Sequence, residues 1–157
     1  LLRLSKRRVG ALIVFEQRTG LKDFMETGTA IDSLISAPLL ENIFEPNTPL
    51  HDGAVIIRGD RIVSAACVLT LSESSAISRD LGTRHRAALG VSEVSDCHAF
   101  VVSEETGVIS IAQNGKLTRF LDGKKIEKTL LNLYLEEEVK VPFTERLRRL
   151  LKGGQRC

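Results

Sequence analysis

The sequence predicts an α/β fold, one globular domain with a central mixed β-sheet flanked by helices, and three observations carry that prediction. Short apolar, β-branched runs recur at Val9–Phe15, Ala54–Arg58, Ile62–Leu69, Ala99–Val102 and Val108–Ala112. Helical spacings interleave with them near Ile31–Phe44, Ala87–Val91 and Ile126–Tyr134. The links Gly59-Asp60-Arg61, Thr106-Gly107 and Asn114-Gly115 are hairpin punctuation, so part of the sheet is antiparallel.

Taken in order, the basic opening Lys6-Arg7-Arg8 runs into a buried strand, and Glu16–Gly28 reads as a polar connection. Ile31, Leu34, Ile35, Leu39, Leu40 and Ile43 predict helix over Ile31–Phe44, with Pro38 dividing it into two short pieces. Pro46-Asn47-Thr48-Pro49 then leads into Leu50-His51-Asp52-Gly53, which places polar groups at the mouth of the strand starting at Ala54. Ala54–Leu69 is predicted to be a hairpin. After a polar loop, Thr83 is the cap candidate for a helix whose inward face is Ala87, Ala88 and Val91, and Gly90 weakens that helix. Ala99–Ser103, Val108–Ala112 and Leu117–Leu121 form a three-strand meander. An amphipathic helix follows from Lys124, and Pro142 restarts a basic one with Phe143, Leu147, Leu150 and Leu151.

At 157 residues with 43% apolar and 27% charged side chains, the chain is long enough for one real core and too apolar for extended disorder. Lys and Arg number 22 against 20 Asp and Glu, and a net charge of +2 gives no global field toward nucleic acid or an anionic membrane. Basic and aromatic residues do not interleave, so no nucleic-acid partner is expected. Three cysteines, Cys67, Cys97 and Cys157, lack metal-like spacing and indicate neither a disulfide framework nor a zinc site. A reducing compartment fits them. No apolar run reaches the roughly 18 residues of a membrane span, and Leu1-Leu2-Arg3-Leu4 is too short for a signal peptide, so this fragment is expected to be soluble. It starts in mid-pattern, so residues 1–8 are expected to join missing N-terminal segments, and 140–157 is a basic C-terminal extension whose Arg146, Arg148, Arg149 and Lys152 read as a solvated face.

Common phosphate-loop, dinucleotide and His-Glu-x-x-His motifs are absent, which leaves three polar clusters. In His51-Asp52-Gly53-Ala54, a carboxylate precedes a glycine that lets a phosphate or sugar approach the backbone; the same dipeptide is also an ordinary turn. Thr83-Arg84-His85-Arg86 gathers cations at a helix start, against the helix dipole, so a bound anion would relieve the repulsion; a solvated basic turn is the plain alternative. Ser103-Glu104-Glu105-Thr106-Gly107 puts adjacent carboxylates in a turn, where magnesium or manganese would bridge them to phosphate oxygens. Together these clusters suit a metal-supported polyphosphate better than a neutral ligand.

On these motifs the chain resembles the diadenylate cyclase domain, in particular the membrane-associated, CdaA-type branch found in bacteria. The resemblance runs from about Lys6 to the helix near Lys124 and rests on Gly10-Ala11-Leu12-Ile13, Asn42-Ile43-Phe44 through Ala54, Leu81-Gly82-Thr83-Arg84-His85-Arg86-Ala87-Ala88 and Val102-Ser103-Glu104-Glu105-Thr106-Gly107. It implies condensation of two ATP into cyclic di-AMP (c-di-AMP) with release of two pyrophosphates across a face-to-face homodimer. It further implies that Asp52 activates or orients the ribose 3'-hydroxyl and that Gly53 and Ala54 shape the nucleotide site. Arg84, His85 and Arg86 match the second family motif, with Thr83 and Ser103 near phosphate and Leu69 near adenine. Glu105, assisted by Glu104, together with Asp52 and His51, becomes the candidate set for a divalent manganese, magnesium or cobalt ion. The resemblance also implies a membrane anchor upstream with this portion at the cytoplasmic face, and control by a membrane-associated regulatory protein or phosphoglucosamine mutase. A nucleotide-binding sensor without catalysis, a phosphohydrolase and an interaction module are the competing classes.

Overall fold

The computed structural model describes residues 1–74 and 81–140, the last five by backbone alone. In chain order the elements are α1 (Leu2–Arg7), β1 (Ala11–Phe15), α2 (Lys22–Met25), β2 (Thr29–Leu34), α3 (Ala37–Ile43), β3 (Ala54–Arg58), β4 (Arg61–Cys67), α4 (Thr83–Val94), β5 (His98–Val102), β6 (Ile109–Gln113), β7 (Lys116–Thr118) and α5 (Gly123–Lys140). Among the described residues the strands form one seven-stranded sheet in the order β2-β4-β3-β1-β5-β6-β7. β1 and β3 are parallel and the other neighbours antiparallel, so the sheet is mixed, as the sequence predicts.

The central strands are buried on both faces, which is why they read as continuous apolar runs rather than alternating ones. Leu12, Val14, Ala54, Ile56, Cys67 and Val101 meet Ala87, Ala88 and Val91 of α4 in one cluster, while Ile13, Val55, Ile57 and Phe100 are buried at the alternate positions. Gly90 has a packing role: a Cβ there would stand 2.0 Å from the Thr70 carbonyl oxygen, so α4 can lie this close to the chain leaving β4 only without a side chain. Glu16 is buried yet doubly used. Its carboxylate holds the Arg58 guanidinium and accepts the Leu21 N–H at 2.7 Å.

Several expectations change. Ile31–Leu34 is not helical; it belongs to the edge strand β2, bulged between Ala30 and Ser33 with Asp32 at φ 49°. Three apolar residues beside a bulge imitate helical spacing, and pairing with β4 overrides it. Pro38 does not divide a helix. It sits in the first turn of α3, where its missing N–H costs nothing, while the Ser36 hydroxyl caps Leu39 N–H at 3.3 Å. Thr83 is the first helical residue rather than the cap, which is Gly82 without a side-chain bond. The basic opening lies in α1 up to Arg7, and Arg8 ends that helix in the left-handed region at φ 53°.

The chain separates into two compact units, one spanning Leu1–Leu121 and the other starting at Asp122. In the second, the Asp122 carboxylate accepts the Lys125 N–H at 2.8 Å and starts α5. The expected helix after Pro142, the basic face Arg146 to Lys152 and Cys157 lie outside the described residues. No helix among the described residues is long and apolar enough to cross a membrane.

Glu16→Ala strands the Leu21 N–H and releases Arg58. The expected loss is about 1–3 kcal/mol, seen as a lower urea midpoint with an unchanged slope.

Candidate active site

Strand register brings the three polar clusters to one end of the sheet. Because β1 and β3 run parallel with Ile13 level with Val55, Gly10 and Asp52-Gly53 enter the sheet side by side. β5 runs the other way with Val102 opposite Ala11, so Ser103 and Glu104 leave the sheet at this same end. Ala54 opposite Cys67 brings the exit of β4 and Leu69 here too. Val102 pairs with Ile109, and Leu121 N–H donates to the Ile109 carbonyl at 2.9 Å, so the chain following β7 returns to the same end.

A cleft of about 170 Å³ opens there, lined by Thr83, Arg84, His85, Ser103, Glu104 and Glu105, and completed by Thr106 and Arg119. α4 points its start into it with no acidic residue in its first turn. The Thr83 and Arg84 N–H groups precede the first helical bonds, which are made by His85 and Arg86 to the Gly82 carbonyl. Arg84 Nη1 donates to Glu104 Oε2 at 2.8 Å across Gly10, where a Cβ would stand only 2.7 Å from that nitrogen. Gly10 thus makes room for the guanidinium.

Among the described residues, three nitrogen atoms of the cleft are buried without a hydrogen-bond partner: Arg84 Nε, His85 Nε2 and Arg119 Nε. His85 is 5% exposed, and burial, then the nearby Arg119 guanidinium, push its imidazole below the ordinary value of 6.5. Stranded buried nitrogens in a polar cleft, two of them guanidinium donors, are the mark of a site built for a ligand with acceptor oxygens.

The other expected residues stand around this cleft rather than in its lining. Arg86 is turned away: Nε and Nη2 reach the Ser72 carbonyl at 3.3 and 3.1 Å, and its own carbonyl takes the Ser72 N–H. It clamps the chain leaving β4. Leu69 is 7% exposed and packs with Ala54 and Ala88. Asp52 is exposed and free of hydrogen bonds and ion pairs among the described residues. Gly53 after it is at φ 112°, and a Cβ there would meet the Ala66 carbonyl carbon at 2.7 Å, so only glycine fits. His51 Nδ1 lies 2.6 Å from the Thr48 carbonyl oxygen. A carbonyl only accepts, so Nδ1 carries the proton and Nε2 of the neutral ring is left with a lone pair. Among the described residues no three His, Cys, Asp or Glu side chains gather as a metal centre. Arg119 was not foreseen, since one arginine after a short strand carries no motif and only the topology brings it to His85.

His85 binds a proton less readily folded than unfolded. Its contribution to stability is therefore complete above about pH 6.5 and lost as pH falls through the lowered folded-state value. Thermal midpoints measured from pH 7.5 down to 5 fall in this window, and His85→Gln removes that part of the fall.

With the geometry in view, the chain can be set beside known proteins. Residues 1–117 match the family model described as DAC, DisA bacterial checkpoint controller nucleotide-binding. The cyclic di-AMP synthase CdaA of Bacillus subtilis is 54% identical over 127 residues, 81% of this chain and 46% of that protein. A diadenylate cyclase of Listeria monocytogenes is 52% identical over 139 residues, 88% of this chain and 51% of that protein. The chain thus spans about half the length of the curated relatives it matches. A crystal structure of DacA from Staphylococcus aureus, a double cysteine variant, superposes with a TM-score of 0.83 at 55% identity, covering 85% of this chain and 89% of that one. A solved structure from Bacillus cereus, described as a hypothetical membrane spanning protein, gives 0.74 at 51% identity over 76% of this chain and 59% of that one. The motif at the strand mouth, the cationic helix start, the mixed sheet and these matches converge: the chain belongs to the DAC family of nucleotide-binding domains.

Proposed function

We propose that this chain is the catalytic domain of a diadenylate cyclase, which joins two ATP molecules into c-di-AMP and releases two pyrophosphates. The observation that carries the reading is the cleft with its stranded Arg84 and His85 nitrogens at the sheet end where Asp52 and Gly53 enter β3.

The 3'-oxygen of one nucleotide attacks the α-phosphorus of the other, a P–O bond forms, and the bond to the β-phosphate oxygen breaks. Asp52, exposed and unpaired, takes or orients the hydroxyl proton. Arg84 and the free N–H groups of α4 hold the phosphate oxygens, and Arg84 exchanges Glu104 for substrate as they arrive. His85, held neutral, offers one nitrogen to a phosphate oxygen without adding charge. Repeating the transfer in the opposite sense closes the ring, which requires two sites face to face and hence a homodimer at the moment of chemistry. Arg86 serves by fixing the chain beside α4.

The donor set fits a divalent ion held partly by substrate. His51 keeps a lone pair on Nε2 while its other nitrogen faces a carbonyl, the arrangement common to metal-binding histidines, and Asp52 beside it supplies an unpaired carboxylate. Magnesium, manganese or cobalt bound there would complete its shell with phosphate oxygens and water and offset charge on the transferring phosphoryl group. Glu105 is exposed in the cleft and does not gather with His51 and Asp52 among the described residues, so any part it takes runs through the bound phosphates. An anchor outside this chain would hold the domain at the cytoplasmic face of a membrane.

ATP incubated with manganese and the domain yields c-di-AMP and pyrophosphate, separated by chromatography. AMP or ADP alone would mark a hydrolase, and bound but unchanged ATP a sensor. Asp52→Asn is expected to leave the melting curve intact and lower product formation by at least about 100-fold. Chelation with EDTA stops synthesis, and added manganese, magnesium or cobalt restores it to differing extents.

A further inference from the structure

We propose that Arg119 receives the terminal phosphates of the bound nucleotide, the end that departs as pyrophosphate. This rests on the reading of the cleft as an ATP site and assigns a residue just beyond the matched segment of 1–117.

Position comes first. Along the functional end of the sheet, Asp52 enters β3, Arg84 lies over Gly10 between β1 and β5, and Arg119 follows β7. Neighbouring strands lie about 4.8 Å apart, so four intervals carry the line roughly 19 Å from β3 to β7. A nucleotide with its ribose hydroxyl toward Asp52 and its α-phosphate at Arg84 points its β- and γ-phosphates toward Arg119.

The chemical state of the side chain agrees. Arg119 lines the cleft, its Nε is buried without a partner, and no ion pair to it forms among the described residues. Arg84 differs, because Glu104 already answers its charge at 2.8 Å. A guanidinium without a carboxylate, close enough to depress the protonation of His85, raises the local potential. His85 itself is 5% exposed with Nε2 unpartnered. A second stranded nitrogen and an uncompensated cation in one cleft describe an anion site.

The backbone next to Arg119 is shaped to hold it. Phe120 adopts φ 60°, which bulky residues rarely do. The residue is 67% exposed, and the centre of its ring lies 5.1 Å from the Arg119 guanidinium carbon in a cation–π contact. The exposed ring steadies the cation and contributes little to the core.

The test compares ATP, AMP and inorganic pyrophosphate by calorimetry on the wild-type chain, Arg119→Gln and Arg119→Lys. In Arg119→Gln, ATP and pyrophosphate affinity fall by about 10- to 100-fold, AMP affinity stays within about twofold, and Arg119→Lys recovers part of the loss. Unchanged ATP affinity, or equal losses for ATP and AMP, overturns the assignment. If Arg119→Gln does not fold, the same ATP-to-AMP comparison in Arg119→Lys decides. A wild-type chain that binds pyrophosphate through Arg119 and makes no linked dinucleotide would sink the cyclase reading and leave the assignment standing. One that binds neither ATP nor pyrophosphate ends both.

Discussion

The site depends on the double pairing of β1. One side of this strand is bonded in parallel to β3 and the other antiparallel to β5, and no other arrangement sets an incoming Asp52-Gly53 and an outgoing Ser103-Glu104 on either side of Gly10. The strand is held by burial. Ala11, Leu12, Ile13 and Val14 are all within 2% of complete burial, so a slip of one residue would drive one apolar set away from α4 and carry Gly10 out from beneath Arg84. Core packing and site geometry are here the same constraint.

Above that frame, the electrostatics are left incomplete. Buried polar atoms are normally partnered, yet this cleft holds stranded nitrogens on Arg84, His85 and Arg119. Among the described residues only Arg84 has a carboxylate, and Glu104 is 63% exposed, so water already weakens that pair. A half-exposed carboxylate is a good resident for a phosphate site: it steadies the guanidinium and leaves at small cost. Neutral His85 keeps three cations from crowding into one corner.

Much of the fold was legible because its strands carry local signals. The buried runs, the Gly59-Asp60 turn and Asn114-Gly115 predicted β1 and β3 to β6 nearly in place, and the mixed sheet follows from them. β2 was not legible, since an edge strand with a bulge at Asp32 has neither a clean alternation nor an apolar run. Gly82 in place of Thr83 as the cap was equally hidden, because backbone geometry alone ends that loop. For the site, the sequence located Thr83 to His85 and Ser103 to Glu105, whose residue types are informative by themselves. It could not show that Arg86 faces Ser72, which depends on helix rotation, or that Arg119 joins His85, which depends on two hairpins. That Asp52 stands outside the cleft lining is likewise set by the fold rather than by residue type.

The bulged outer strand has a consequence of its own. At the open margin of the sheet, Asp32 is turned out of extended geometry, and its side chain and carbonyl are both occupied by Arg61. A neighbouring polypeptide seeking to zip on there finds a kinked, charged rail with its acceptors taken. At the opposite margin, β7 offers three residues. Crowded domains of this kind are thereby denied the easy route to fibrous stacking, and their encounters are left to the loops and helix starts where chemistry can reward them.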